Sequence, residues 1–395
     1  MGRTTGRRSA VAVAAALALA LAGCAEDEGG GDSGGGGTAS GPIKVGAVLD
    51  ITGAGASLGV PERKTLEMLA KSVGQVAGRD VQLIVEDDQS TEDGAAKAIN
   101  KLLTQDKVDI ILGASRTGPS LAMKPVAESA KIPMISLAAN KAIVDGARYV
   151  FKTAQNDSVV IENMIDLAKE RGWKKLGLAR DASGFGEGVQ ETIDELGKAD
   201  GISVVVTEKF APDATDFTAQ MVNIRNARAD ANIIWGIPPA AALAQKAYKQ
   251  LGITAPVIQS HGIGNSVFLQ TAGASADGLI APLGRLVVAG QLPDDDPQKK
   301  VISDFVAQYQ AAYPGEAPST FAGHAYDGWT LAMEAFKAVG TDKEKVRDWL
   351  ESAKGVVGIS GVFTMTPEDH SGLSKDALVL TTVKDSKFAL LEPTG

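Results

Sequence analysis

From Ile43 onward, short apolar runs alternate with stretches of helical period, and this repeat constrains the fold more than any other feature of the chain. Residues 43–50 form an apolar run that ends in an acid and a glycine-bearing turn, and a helical pattern follows over about 61–76. The order continues as a strand over 81–87, a helix over 91–105, a strand over 108–113, a helix over 119–130 and a strand over 132–137. Runs with little polar alternation belong to strands buried on both faces, and such strands separated by helices imply βαβ units and a parallel sheet. After residues 149–153 the alternation restarts with a helix over 157–171 that Gly172 ends, a strand over 175–179 and a helix over 186–196. Strands over 202–210, 230–235, 257–260 and 278–282 complete it. Two successive patterns of similar size predict an α/β protein of two doubly wound parallel-sheet lobes. Helices near 298–313, 320–339 and 343–354 lack the strands for a third domain, so the chain crosses between the lobes more than once.

Several function classes are poorly supported. With 39 Lys+Arg against 48 Asp+Glu and a net charge of −9, the chain lacks the basic footprint of a nucleic-acid binder. One Cys excludes a disulfide framework or a Cys-rich metal site, and His261, His324 and His370 form no His-Glu-x-x-His pattern, so neither metal nor cofactor is expected. Gly53, Gly55 and Gly59 follow the first strand, but Leu58 stands where a dinucleotide fingerprint needs glycine. No Gly-x-Ser-x-Gly elbow occurs, and the carboxylate pairs read as a strand end (Asp87, Asp88) and a solvated loop (Asp294 to Asp296), so an enzyme is not expected.

The N-terminus reads as an export signal. Arg3, Arg7 and Arg8 precede an apolar run over 10–21, too short for a comfortable membrane span, and small residues follow it. Residues 21–24, Leu-Ala-Gly-Cys, resemble a bacterial lipobox, which makes Cys24 the lipidation site and 1–23 the signal peptide. Residues 24–42 are acidic and Gly-rich, a solvated tether. Cleavage removes three arginines and no acid, taking the charge to −12. The expected location is the outer face of the cell membrane.

In open parallel sheets, ligands sit beyond the carboxyl ends of the strands, so two facing lobes enclose a cleft. Residues 113–119, Gly-Ala-Ser-Arg-Thr-Gly-Pro, lie between a buried strand and a helix and gather hydroxyls and free N–H groups at a positive helix end, a setting for a carboxylate. The plainer reading of Thr117 is a helix N-cap. The next strand ends at Ala138 and Asn140, beside the same cleft.

These segments resemble the Leu/Ile/Val-binding family of ABC-transporter solute-binding proteins, which have the type I periplasmic binding fold. The matching text is Ile-Lys-Val-Gly-Ala-Val-Leu-Asp from Ile43, Thr52-Gly53, Glu86-Asp87-Asp88, Gly113-Ala-Ser, Pro125-Val-Ala-Glu, Ile132-Pro-Met-Ile-Ser, residues 181–188 and Ala325-Tyr-Asp-Gly. The resemblance implies a multi-strand hinge, with 43–153 and 284–374 in lobe 1, and 154–283 and 375–395 in lobe 2. It implies Thr117, Ala138 and Asn140, with Ser115 nearby, as holders of the ligand carboxylate. Phe185 closes over the ligand, Ile237 and Leu58 stand where tyrosines are usual, and Asp327 is a further candidate. His261 occupies the place of the acid that pairs with a ligand ammonium. An imidazole cannot take that role, so an aromatic or aliphatic acid fits better than an α-amino acid, with any His261 titration expected near its ordinary value of about 6.5. The implied activity is capture of a small carboxylate-bearing solute by a monomer and delivery to ABC permease subunits. The alternatives are a ligand-sensing receptor domain and, less favoured, an extracytoplasmic enzyme.

Overall fold

The computed structural model describes residues 41–392; the signal peptide, Cys24 and all but the last two residues of the tether lie outside them. The chain opens with β1 (Ile43–Leu49), α1 (Ala56–Ser72), β2 (Gln75–Val76), β3 (Arg79–Asp87), α2 (Glu92–Lys101), β4 (Ile110–Gly113), α3 (Thr117–Ala130), β5 (Met134–Ser136) and β6 (Val150–Lys152). These strands form one sheet in the order β2-β3-β1-β4-β5-β6, parallel except for β2. Successive residues point to opposite faces. Val48, Ile111 and Met134 pack with Ala98, Ile99 and Met123 of α2 and α3. Leu49, Leu112 and Ile135 share the opposite core with Leu66 and Leu69 of α1.

After β6 the chain crosses to a second sheet through α4 (Asp157–Arg171), β7 (Lys175–Asp181), α5 (Val189–Gly197), β8 (Ser203–Phe210), α6 (Thr218–Ala227), β9 (Ala231–Trp235), α7 (Ala240–Gln250), β10 (Val257–Gln259), α8 (Ser266–Ala272) and β11 (Ile280–Gly284). It returns to the first sheet with α9 (Lys299–Ala312), α10 (Thr320–Val339), which packs along α1, and α11 (Lys343–Glu351). A small hairpin, β12 (Lys354–Val357) and β13 (Val362–Thr364), precedes a third crossing. β14 (Leu378–Lys384) and β15 (Lys387–Leu390) then close the second sheet, whose order is β15-β14-β11-β10-β9-β7-β8. Among the described residues the architecture is thus the α/β pair of doubly wound lobes that the sequence predicts.

Local differences from the sequence reading have physical causes. α1 starts before Pro61, because Gly59 lets the helix lie against the end of β1; a Cβ there would stand 2.2 Å from the Asp50 carbonyl oxygen. α5 starts at Val189 rather than 186, because Asp181 Oδ1 gathers Ser183 N (3.0 Å) and Ser183 Oγ (2.6 Å) into a loop that runs to Gly188 (φ +76°). The β14–β15 turn is made by Asp385 and Ser386, both at positive φ, the geometry of a two-residue hairpin.

Candidate functional site

In both sheets the strand order reverses beside the first strand of the lobe: β1 lies between β3 and β4, and β7 between β8 and β9. Such switch points leave a crevice beyond the strand ends. Here the two crevices face each other and form a cavity of about 240 Å³, room for one compact solute. Lobe 1 lines it with Leu58, Ser115, Thr117 and Ala138, and lobe 2 with Asp181, Gly184, Phe185, Ile237 and His261. Cross-lobe hydrogen bonds run from Asn140 Nδ2 to Gly184 O (3.0 Å) and from Ser57 Oγ to Pro238 O (3.1 Å).

Thr117 is the first residue of α3 and not its cap; Arg116 holds the N-cap position with extended backbone and no side-chain cap bond. The first N–H groups of α3 therefore have no intrahelical partner. The Thr117 side chain is 2% exposed, and its Oγ1 has no hydrogen-bond partner in the protein. A buried hydroxyl without a partner is costly, and here it sits at the positive end of a helix on the cavity wall.

The neighbouring polar groups are already engaged. Ser115 Oγ donates to Glu62 Oε2 and accepts from Asp50 N (3.1 Å), so this hydroxyl braces β1 and α1 instead of waiting for a ligand. Arg116 lines the cavity but is paired with Asp50 and donates to Ser90 O. Burial pushes the Glu62 carboxyl well up, and burial together with the Asp50 charge raises Asp88. Ala138 lines the wall, yet its N–H donates to Ser136 Oγ (3.2 Å).

In lobe 2, Phe185, Trp235 and His261 form an aromatic group with ring centroids 5.3–5.8 Å apart. Trp235 is core, its Nε1 donating to Phe185 O (3.0 Å) and so fixing the loop that presents Phe185. His261 is 7% exposed. Burial, reinforced by His324 and Lys152, lowers its pKa to about 3. The ring is neutral at physiological pH and does not titrate near 6.5, and its Nδ1 has no partner. Two further wall residues, Phe321 and His324, come from the start of α10. Their spacing of three puts both on one helix face, a signal the sequence reading did not use. His324 is also held neutral, at about 3, by burial and Lys152.

Two expected site residues lie elsewhere. Asn140 joins the lobes and is not part of the cavity wall. Asp327 is buried within α10 and accepts from Ile359 N (2.6 Å) and Ser360 N (2.7 Å), stitching the β12–β13 loop to the helix. Its place in the Ala-Tyr-Asp-Gly segment reflects that brace. Among the described residues no cluster of three His, Cys, Asp or Glu is arranged for a metal ion, and no helix is long and apolar enough to cross a membrane.

Two α/β lobes that close on one small cavity by their strand-end loops define a two-lobe solute-binding protein. The chain belongs to the periplasmic binding protein family, whose model matches residues 42–387. It is 24% identical over 324 residues to the leucine-, isoleucine-, valine-, threonine- and alanine-binding protein of Pseudomonas aeruginosa, covering 80% of this chain and 83% of that one. An extracellular ligand-binding receptor from Rhodopseudomonas palustris HaA2 superposes with TM-score 0.84 at 29% identity, over 89% of this chain and all of that one. A solute binding protein of an ABC transporter from Rhodopseudomonas palustris BisB5, solved with 3,4-dihydroxy benzoic acid, has TM-score 0.76 at 23% identity, over 88% and 95% of the two chains. This chain is a periplasmic-type solute-binding protein, and these relatives are binding proteins. Family membership implies an extracytoplasmic location.

Proposed function

We propose that the protein captures a small carboxylate with an apolar or aromatic body, closes its lobes over it and hands it to the permease of an ABC importer. The observation that carries this reading is the unpartnered Thr117 Oγ1 at the start of α3. Opposite it stand Phe185, Ile237 and a neutral His261, a wall suited to an apolar body with one polar substituent. The named relatives span amino acids and an aromatic acid, so the choice rests on the residues of this cavity. The lobe limits of 43–153 with 284–374 and 154–283 with 375–395 serve as the working division, supported by strand membership. The protein acts as a monomer without a cofactor.

A second reading, an α-amino acid carrier, is favoured by Asp181, a carboxyl on the cavity wall. Against it, Asp181 Oδ1 is engaged by Ser183, and burial raises the carboxyl pKa. Calorimetry with leucine and 4-methyl-2-oxopentanoate, its deaminated analogue, separates the two. The analogue is expected to bind at least about ten-fold more tightly, because an unpaired buried ammonium is costly. Leucine binding without binding of the analogue would restore the amino-acid carrier.

Membrane attachment is assigned to a lipid on Cys24, the sole cysteine. Cys24→Ala is expected to move the protein from the membrane to the soluble fraction with its solute affinity intact. Retention at the membrane would refute the lipid anchor.

A further inference from the structure

Behind the cavity wall lies a cation that the ligand-contact residues do not explain. Lys152 ends β6 at the first crossing between lobes and is 0% exposed. Its ammonium donates to two neutral acceptors, Ala139 O (2.6 Å) and Asn156 Oδ1 (2.7 Å). Ala139 is itself a wall residue, as is Ala154, two positions after Lys152. Asp157, at the start of α4, is buried beside it, and Asp157 Oδ1 has no hydrogen-bond partner. The other cation at the cavity, Arg116, is committed to Asp50. The direct hydrogen bonds of this buried ammonium go only to neutral oxygens, with Asp157, Asp369 and Asp145 acting on it through space, and an anion in the cavity would add to its stabilisation.

We propose that Lys152 is a positioning residue that gives the cavity its preference for an anionic solute, acting through the wall formed by Ala139 and Ala154. The inference rests on the carboxylate reading above. It adds a proton linkage. Burial lowers the Lys152 pKa and raises that of Asp157, and a bound anion favours the protonated form of both. The complex therefore holds more protons than the free protein, and affinity falls as pH rises through the range where the pair titrates. The charged and titratable groups facing this pair are Asp145, Asp181, Asp369, His261 and His324. The two histidines are the competing acceptors of that proton.

The test compares 4-methyl-2-oxopentanoate with its uncharged amide by calorimetry on the wild type and on Lys152→Met. The wild type is expected to prefer the carboxylate, and that preference to fall by about ten-fold or more in the variant, while Thr117 and the start of α3 still contribute the remainder. Wild-type titrations at about pH 7.5 in buffers of different ionisation enthalpy should show proton uptake that the variant lacks. This wild-type measurement decides the matter even if the variant fails to fold, since no uptake would overturn the proposal. Proton uptake that persists in Lys152→Met assigns it to Asp157 or the histidines rather than to Lys152, and also overturns the proposal. Wild-type binding of the carboxylate with an unchanged preference in the variant overturns this inference alone. Failure of the wild type to bind the carboxylate overturns the carboxylate reading, and this inference with it.

Discussion

Thr117→Val is expected to weaken carboxylate binding roughly 10- to 150-fold, the equivalent of about 1.5–3 kcal/mol for a hydrogen bond to a charged group. The ligand-free protein should melt at the same temperature or slightly higher. The second half of this result separates a binding hydroxyl from a structural one. Oγ1 has no protein partner, so its removal breaks nothing in the fold and relieves the burial of an unsatisfied polar atom. Valine keeps the branched shape that packs against the Gly184 loop. Calorimetric affinity and thermal melting of the same preparation check both halves. A lower melting temperature with undiminished affinity would return Thr117 to a purely structural role.

Gly184→Leu is expected to reduce affinity by about a hundred-fold or more by holding the lobes apart. A Cβ at Gly184 would stand 3.2 Å from Thr117 Cγ2 and 3.6 Å from Gly118 N. Alanine fits there with a small adjustment, but leucine drives into the start of α3 and displaces the Asn140–Gly184 bond. A hundred-fold loss corresponds to a bias of about 2.7 kcal/mol against the closed arrangement. Small-angle scattering should show wild-type protein contracting on addition of 4-methyl-2-oxopentanoate, Gly184→Ala contracting as well, and Gly184→Leu remaining extended. Contraction of the leucine variant at wild-type ligand concentrations would show that the contact does not control closure.

The parts of this molecule legible in the sequence are those whose physics is local. Buried parallel strands such as β1 and β4 read as apolar runs, and Gly172, at φ +73°, ends α4 where the pattern places it. The strand-end position of Thr117 follows from the same periodicity, whereas Phe185, Ile237 and His261 are implied only by the family resemblance; the structure brings all four to one cavity. What escaped depends on partners distant in sequence. Ser115 looks like a free hydroxyl until Glu62, 53 residues away, is seen to accept from it. Asp327 looks like a site acid until Ile359 and Ser360 are found donating to it. His261 suggests a titrating imidazole because sequence does not reveal burial, the main cause of its low pKa. The importance of Lys152 likewise emerges only when α10 and the neighbouring loops close around it.

The three chain crossings also bear on when the molecule becomes a protein. α10 covers α1 more than 240 residues after α1 begins, and β14 pairs with β11 about a hundred residues after that strand. Neither half is a contiguous piece of polypeptide. A chain emerging N-terminus first has no partner for the exposed apolar face of α1 until the residues of α10 arrive. The second sheet stays open along β11 until β14 appears. Completion of both halves thus waits on the last third of the chain, where non-local pairings are slow to form. This order of events, with the final shape reached only once the whole chain is delivered, suits the extracytoplasmic location that family membership implies.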